Sequence, residues 1–265
     1  MYTHYDDIYR YRIFELRHPG DTLKDEIILK LFKEFVKSKD SRLLEIGCGM
    51  GHTSVSLSKI ISKLVGIDIS IEGIKIAKER VNNAEFIVGD ATALPFKDKC
   101  FDCVIVKDVL EHIENDLQAI KEVNRVLKNG GLLIVYVPYS LDDSFSFESV
   151  IKKIFRYTID DKVGHVRRYN EKEIKEKLRE FDIIKSFYFA HFLFGILSVF
   201  GVIIYDRFMN TINRKVKKKN NNKKTVINLL VFILELLKVL GKIEFIILRK
   251  FKGAGIFIVA KKVKG

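Results

Sequence analysis

The residues best placed to do chemistry follow a short apolar run, in Leu43-Leu44-Glu45-Ile46-Gly47-Cys48-Gly49-Met50-Gly51-His52-Thr53. A strand ending at Ile46, a glycine turn and a helix starting near His52 or Thr53 aim backbone N–H groups and a helix N-terminus at whatever binds there. Glycine permits the sharp turn and a close approach of a ligand to the backbone. The spacing is G-x-G-x-G, whereas a dinucleotide fingerprint wants G-x-G-x-x-G and meets His52 at the sixth position. A P-loop is excluded because no Gly-Lys-Ser/Thr follows. Asp68 closes a second apolar run 21 residues after Gly47, where a carboxylate can accept two hydrogen bonds from ribose hydroxyls. Asp90 follows a third run, in Val88-Gly89-Asp90-Ala91, where it can accept from an adenine amine.

These positions need a scaffold that puts successive strand ends on one edge. Runs at Leu43–Ile46, Leu64–Ile69, Glu85–Val88, Val104–Val106 and Leu132–Val137 alternate with helical patterns at Thr53–Ile61, Ile71–Val81 and Asn115–Leu127. That order predicts βαβ units and a parallel sheet covered on both faces. Asn129-Gly130-Gly131 reads as the C-cap of the third helix. Upstream, Asp21 caps an amphipathic helix bearing Leu23, Ile27, Ile28, Leu31, Phe32 and Phe35. Downstream, Asn170 starts a charged helix over Glu171–Glu180, and Phe181–Phe189 and Gly255–Val263 read as strands that pair antiparallel at the sheet edge. The first twenty residues carry Tyr2, Tyr5, Tyr9 and Tyr11, either a lid over a ligand or an ordinary surface arm.

Three cysteines are too few for a disulfide framework, and no signal sequence opens the chain, so a reducing cytosolic location is expected. Cys100 and Cys103 form a C-x-x-C without the second ligand pair that a metal site needs, and they read as buried strand cysteines. No metal site is expected.

Leu44 to Gly51, Gly66-Ile67-Asp68-Ile69-Ser70, Gly89-Asp90-Ala91, Pro95-Phe96, Phe101-Asp102-Cys103-Val104, Asp108-Val109-Leu110-Glu111-His112 and Leu127-Lys128-Asn129-Gly130-Gly131 together resemble a class I S-adenosylmethionine-dependent methyltransferase. The similarity is to the subgroup of quinone-biosynthesis and other small-molecule methyltransferases, and it covers about residues 40 to 138. It implies an α/β, Rossmann-like, doubly wound and mostly parallel seven-stranded sheet, with a helical insertion before the last strand. It also implies S-adenosylmethionine as cofactor. Glu45, Gly47, Cys48 and Gly49 would shape the pocket for its methionine end, Asp68 and Ile69 would meet the ribose, Asp90 and Ala91 the adenine, and Lys107 and Asp108 would lie beside the sulfonium.

The donor carries its own activation, so such a protein mainly positions the acceptor and excludes water. A hydroxyl or acidic carbon would also need a base, and histidine suits neutral pH. His112 matches a position the family often fills with histidine, and it reads equally as a helix-start residue bonded to a neighbouring loop. His165, in Gly164-His165-Val166-Arg167-Arg168-Tyr169, reads as a second catalytic candidate or as a structural turn. Arg167 and Tyr169, with Tyr5 and Tyr9, are candidate acceptor contacts. His52 reads as structural.

The formal charge is +13, but residues 211–265 hold 15 Lys and Arg against 2 Asp and Glu, while residues 1–210 hold 32 of each sign. Most of the excess belongs to an appendage over residues 191–252, set between the last two strands of a core formed by 1–190 and 253–265. Phe192–Tyr205 is an apolar run of interfacial length, the basic run Arg214–Lys224 follows, and a second apolar run spans Val226–Leu248. Asn228, Glu235, Lys238 and Lys242 give a helix there one narrow polar stripe. The pattern predicts peripheral contact with an anionic membrane face, or a helical cap or homodimer interface. The acceptor is expected to be a small molecule or lipid. A nucleic-acid acceptor is disfavoured because the basic run has no aromatic residues to stack on bases. An RNA methyltransferase and a non-catalytic S-adenosylmethionine-binding module remain as alternatives.

Overall fold

The computed structural model describes residues 19–144, 146–155, 160, 164–189 and 239–263. In chain order they form α1 (Pro19–Phe35), β1 (Arg42–Ile46), α2 (His52–Leu57), β2 (Lys63–Asp68), α3 (Ile71–Arg80), β3 (Glu85–Val88), β4 (Phe101–Lys107), a 3-10 turn (Leu110–His112), α4 (Asp116–Val126), β5 (Leu127–Pro138), α5 (Phe147–Phe155), α6 (Glu171–Lys177), β6 (Phe181–Phe189), a helix over residues 239–248 and β7 (Gly255–Lys262). Seven strands make one sheet in the order β3-β2-β1-β4-β5-β7-β6. The first five are parallel, and β7 runs antiparallel between β5 and β6. This is the doubly wound, mostly parallel sheet expected.

The alternation of side chains along each strand sorts the apolar runs into two cores. Leu44, Ile46, Val104, Val106 and Val135 pack with Ala119, Ile120 and Val123 of α4 on one face. Leu43, Cys103, Ile105 and Ile134 pack with Ile27, Ile28 and Leu31 of α1 on the other. Both faces are covered, which is why these strands are continuous apolar runs. Because β1 lies between β2 and β4, chain order reverses there, and a crevice opens at the carboxyl ends of β1 and β4.

Four local expectations need correction. Asn129-Gly130-Gly131 does not cap a helix: α4 ends at Val126 because Leu127 is drawn, fully buried, into the sheet. The glycines instead form a bulge, across which the β4–β5 register jumps from Phe101↔Leu127 to Cys103↔Leu132, and Gly130 takes φ 72°. The helix after the glycine turn stops at Leu57, since Leu57 and Ile61 both bury against the sheet and the chain must turn to deliver them. The charged helix after Asn170 closes at Lys177 behind a capping box of Asn170 and Glu173. Of the C-x-x-C pair, Cys103 is buried in β4, while Cys100 precedes the strand and is only half-buried.

Tyr5, Tyr9, Phe192–Tyr205 and Arg214–Lys224 lie outside the described residues. The helix over 239–248 is held to the core by Phe245, whose ring lies 5.7 Å from Phe187 and 5.9 Å from Phe189, and by a Lys242–Glu26 ion pair at 2.6 Å. Among the described residues, no helix is long and apolar enough to cross a membrane.

Candidate functional site

Gly47, Gly49 and Gly51 all adopt positive φ, at 72°, 50° and 74°, which accounts for the G-x-G-x-G spacing. A Cβ on Gly47 would lie 2.1 Å from Val109 Cγ2, so the loop leaving β4 sits directly on the glycine turn. The turn's N–H groups are directed inward. Those of Gly47 and Cys48 donate to Ile67 O (2.8 and 3.2 Å), that of Gly51 to Cys48 O (2.9 Å), and that of Gly49 to Asp68 Oδ2 (2.7 Å). The expectation that they face a ligand is thus corrected. They lock the end of β1 to the end of β2 and fix the Asp68 carboxylate. A pyrophosphate would compete for those donors, whereas a nucleoside without phosphates would not.

Asp68 Oδ1 also accepts from Ser70 N (2.9 Å), so both oxygens are oriented by backbone, and each keeps lone-pair capacity for a hydroxyl. Ile69, beside it, is half-buried. At the next strand end Asp90 Oδ1 accepts from Thr92 N (2.8 Å), and Ala91 packs against the core. Asp68 and Asp90 therefore stand at neighbouring strand ends, linked by Gly89 N donating to Asp68 O (2.9 Å).

Beneath the crevice, on the α1 face, lies a polar network that sequence reading largely missed. Glu45 is buried and accepts a short hydrogen bond from Ser54 Oγ. Lys107 Nζ pairs with Asp25 (2.7 Å) and donates to Thr53 Oγ1 (2.9 Å), which itself donates to Asp25 (2.9 Å). Lys107 is thus turned toward α1. Asp108, at φ 53°, accepts from Lys24 Nζ at 2.9 and 2.7 Å, and that ammonium also lies 4.8 Å over the Tyr136 ring. Burial opposes the Lys24 charge, but Asp108 and Asp21 more than offset it and hold its pKa well above the ordinary value. The available signal was the charged pair Lys24-Asp25 set between Leu23 and Ile27 on the apolar stripe of α1.

Burial pushes the Glu45 carboxyl up to about 7, against the pull of Ser54 and Lys107. A carboxyl whose pKa is raised by folding binds its proton more tightly in the native state, so its contribution is present below the unfolded value and lost as pH rises through the folded one. Stability is expected to fall between about pH 4.5 and 7 through this group. Glu45→Gln should flatten that part of a melting-temperature profile against pH, as read by calorimetry.

The 3-10 turn after Asp108 carries Glu111 and His112. Glu111 is fully buried, and burial, reinforced by Asp108, pushes its carboxyl well above the usual range. His112 Nδ1 is 2.9 Å from Gly164 O, the contact with a neighbouring loop that one reading of this residue expected. The structure brings His165 to the same place: the two imidazole rings lie 4.9 Å apart, edge to face. His165 Nδ1 bonds to Asp160 Oδ1 (2.8 Å), and Asp160 in turn accepts from Arg168 Nε at 2.8 and 2.9 Å. Arg167 and Tyr169 are instead tied into the protein. Arg167 pairs with Asp116 (2.8 Å), and the buried Tyr169 hydroxyl, 3.0 Å from Leu110 O, donates to Asp116 Oδ2 (2.8 Å). Both brace the loop against α4 through Asp116, whose spacing from Arg167 in sequence hid the pairing. His52 stacks its role on Arg80, whose guanidinium lies 2.9 Å from Nε2.

Residues 44–135 match the family model described as a methyltransferase domain. That stretch of the chain is similar to methyltransferase domains. Over 111 residues it is 34% identical to a demethylmenaquinone methyltransferase of Staphylococcus aureus (strain JH9), an alignment covering 40% of this chain and 46% of the relative. The chain thus spans under half the length of the curated relatives it matches. A Thermotoga maritima S-adenosylmethionine-dependent methyltransferase superimposes with TM-score 0.59 at 20% identity, over 99% of this chain and 100% of that one. The cyclase SpnF superimposes with TM-score 0.60 at 18% identity, over 91% and 81%. These two likenesses show the fold. The family match ends within β5, so the His165 loop lies beyond it.

Proposed function

We propose that the chain transfers a methyl group from S-adenosylmethionine to a small-molecule acceptor. The observation that carries this is the glycine turn whose own Gly49 N–H orients Asp68, with Asp90 at the next strand end. These groups suit an adenosine without phosphates: Asp68 for the ribose hydroxyls, Asp90 and Ala91 for the adenine, and the Glu45–Gly49 segment for the amino-acid end. When bound, the cofactor supplies a methyl group already activated by its sulfonium. The protein's part is to hold the acceptor in line and keep water out. His112, four residues beyond Asp108, and His165, whose ring lies 4.9 Å from that of His112, are the groups proposed to take a proton from an acceptor hydroxyl or acidic carbon.

The name of the Staphylococcus relative supports a quinone-like, apolar acceptor. The outward side of the 239–251 segment supports delivery from a membrane surface, since Ile243, Ile246, Ile247 and Phe251 are all exposed there. Because one fold also serves a cyclase, activity must be read directly. Lipid and metabolite extracts incubated with methyl-labelled cofactor should yield a labelled small molecule by mass spectrometry. Label in RNA instead, or none despite cofactor binding, would overturn the acceptor reading. Flotation with anionic liposomes, lost at high salt, is the expected membrane result; self-association without flotation would assign the apolar side to a dimer instead.

A further inference from the structure

Glu111 is buried to 0% exposure, yet among the described residues neither carboxyl oxygen has a hydrogen-bond partner. Buried polar groups in folded proteins are paired almost without exception, so such a carboxyl calls for an unseen partner. We infer that Glu111, His112 and His165 form a binding site for a divalent first-row transition-metal ion.

One ligand atom from each of the three residues lies within 4.8 Å of the other two. His165 Nε2 stands 3.9 Å from Glu111 Oε1, too far for a hydrogen bond. Two ligands of a tetrahedral zinc ion are ~3.4 Å apart, so a small rotation of the imidazole closes the difference. The rings are also oriented as ligands are. The Gly164 carbonyl accepts at 2.9 Å and so fixes the His112 proton on Nδ1, placing its lone pair on Nε2. The Asp160 carboxylate does the same for His165 at 2.8 Å, and Arg168 clamps Asp160 from behind. A carboxylate or carbonyl on the far nitrogen is the arrangement that sets tautomer and basicity in metal-bound histidines.

The two segments are joined independently of any ion by Val166 N donating to Glu111 O (2.9 Å), and the His165 loop is held within itself by His165 N donating to Asp160 O (3.0 Å). The ligand set is therefore largely preformed. Two imidazoles and one carboxylate suit zinc, manganese, iron or cobalt, whereas calcium and magnesium prefer all-oxygen shells. Three protein ligands leave at least one coordination position for an oxygen from outside the protein. Binding of the ion does not depend on methyl transfer itself, but an ion held on both Nε2 atoms would displace the two imidazoles from the role of proton acceptor.

The test uses tag-free, chelator-treated protein titrated with Co2+ and followed by its visible d–d absorption, with Zn2+ calorimetry in parallel. One saturable equivalent is expected. Glu111→Gln and His165→Ala should each weaken it by at least ~10-fold, and Asp160→Asn, which touches no metal, by ~10- to 100-fold. Metal-free melting temperatures and S-adenosylmethionine affinities of the same samples separate metal loss from misfolding. No saturable Co2+ or Zn2+ binding to the wild type, or binding indifferent to Glu111→Gln and His165→Ala, overturns the inference. With cofactor binding intact, either result leaves the methyltransferase reading standing.

Discussion

Asp68→Ala is expected to weaken S-adenosylmethionine binding by ~100-fold or more. A hydrogen bond to a charged acceptor contributes ~1.5–3 kcal/mol, two such bonds from ribose hydroxyls would be lost, and each 1.4 kcal/mol is about tenfold in affinity. The same change frees Gly49 N and Ser70 N, which the carboxylate now holds at 2.7 and 2.9 Å, so the glycine turn also loses its anchor on β2. Asp68→Asn keeps one acceptor oxygen and should fall between the two. Isothermal calorimetry with the cofactor and its demethylated product reads this directly. Wild-type affinity in Asp68→Ala would remove the strand ends of β1 and β2 as the cofactor site.

Gly47→Ala is expected to destabilise the protein by about 3 kcal/mol and lower its melting temperature by roughly 10 °C. Two causes add. The new Cβ would meet Val109 Cγ2 at 2.1 Å, a contact that must be relieved by moving the loop after β4. The backbone at φ 72° also costs a non-glycine residue ~1–2 kcal/mol. Val109→Ala in the same chain should remove the first cost and leave the second, so the double variant should melt above Gly47→Ala and below the wild type. Equal melting of Gly47→Ala and wild type would contradict the packing of this loop on the turn.

The sheet was legible because its apolar runs, continuous where both faces are buried, alternate in order with helical patterns of near 3.6 period; which face Leu43 or Leu44, Val104 or Ile105 takes is recorded by the two cores. The glycine turn, Asp68 and Asp90 were legible for the same reason, since each stands at the end of a strand that announces itself within a few residues. The direction of the turn's N–H groups was not legible. Whether Gly49 N faces a ligand or Asp68 depends on β1 and β2 being neighbours, which is a pairing between segments. Likewise the Asn129-Gly130-Gly131 signal was read as a cap, but burial of Leu127 outweighs it and makes a bulge.

By itself, then, the amino-acid sequence determined an α/β methyltransferase-like sheet and the strand ends that carry its acidic side chains. Only the tertiary structure decided that Lys107 pairs with Asp25 and that Tyr169 pairs with Asp116. It also brought His165 to a buried Glu111 whose carboxyl has no hydrogen-bond partner among the described residues. Those meetings join residues 53 to 82 positions apart. No local periodicity constrains such pairs, because they follow from which faces pack together once the sheet has formed.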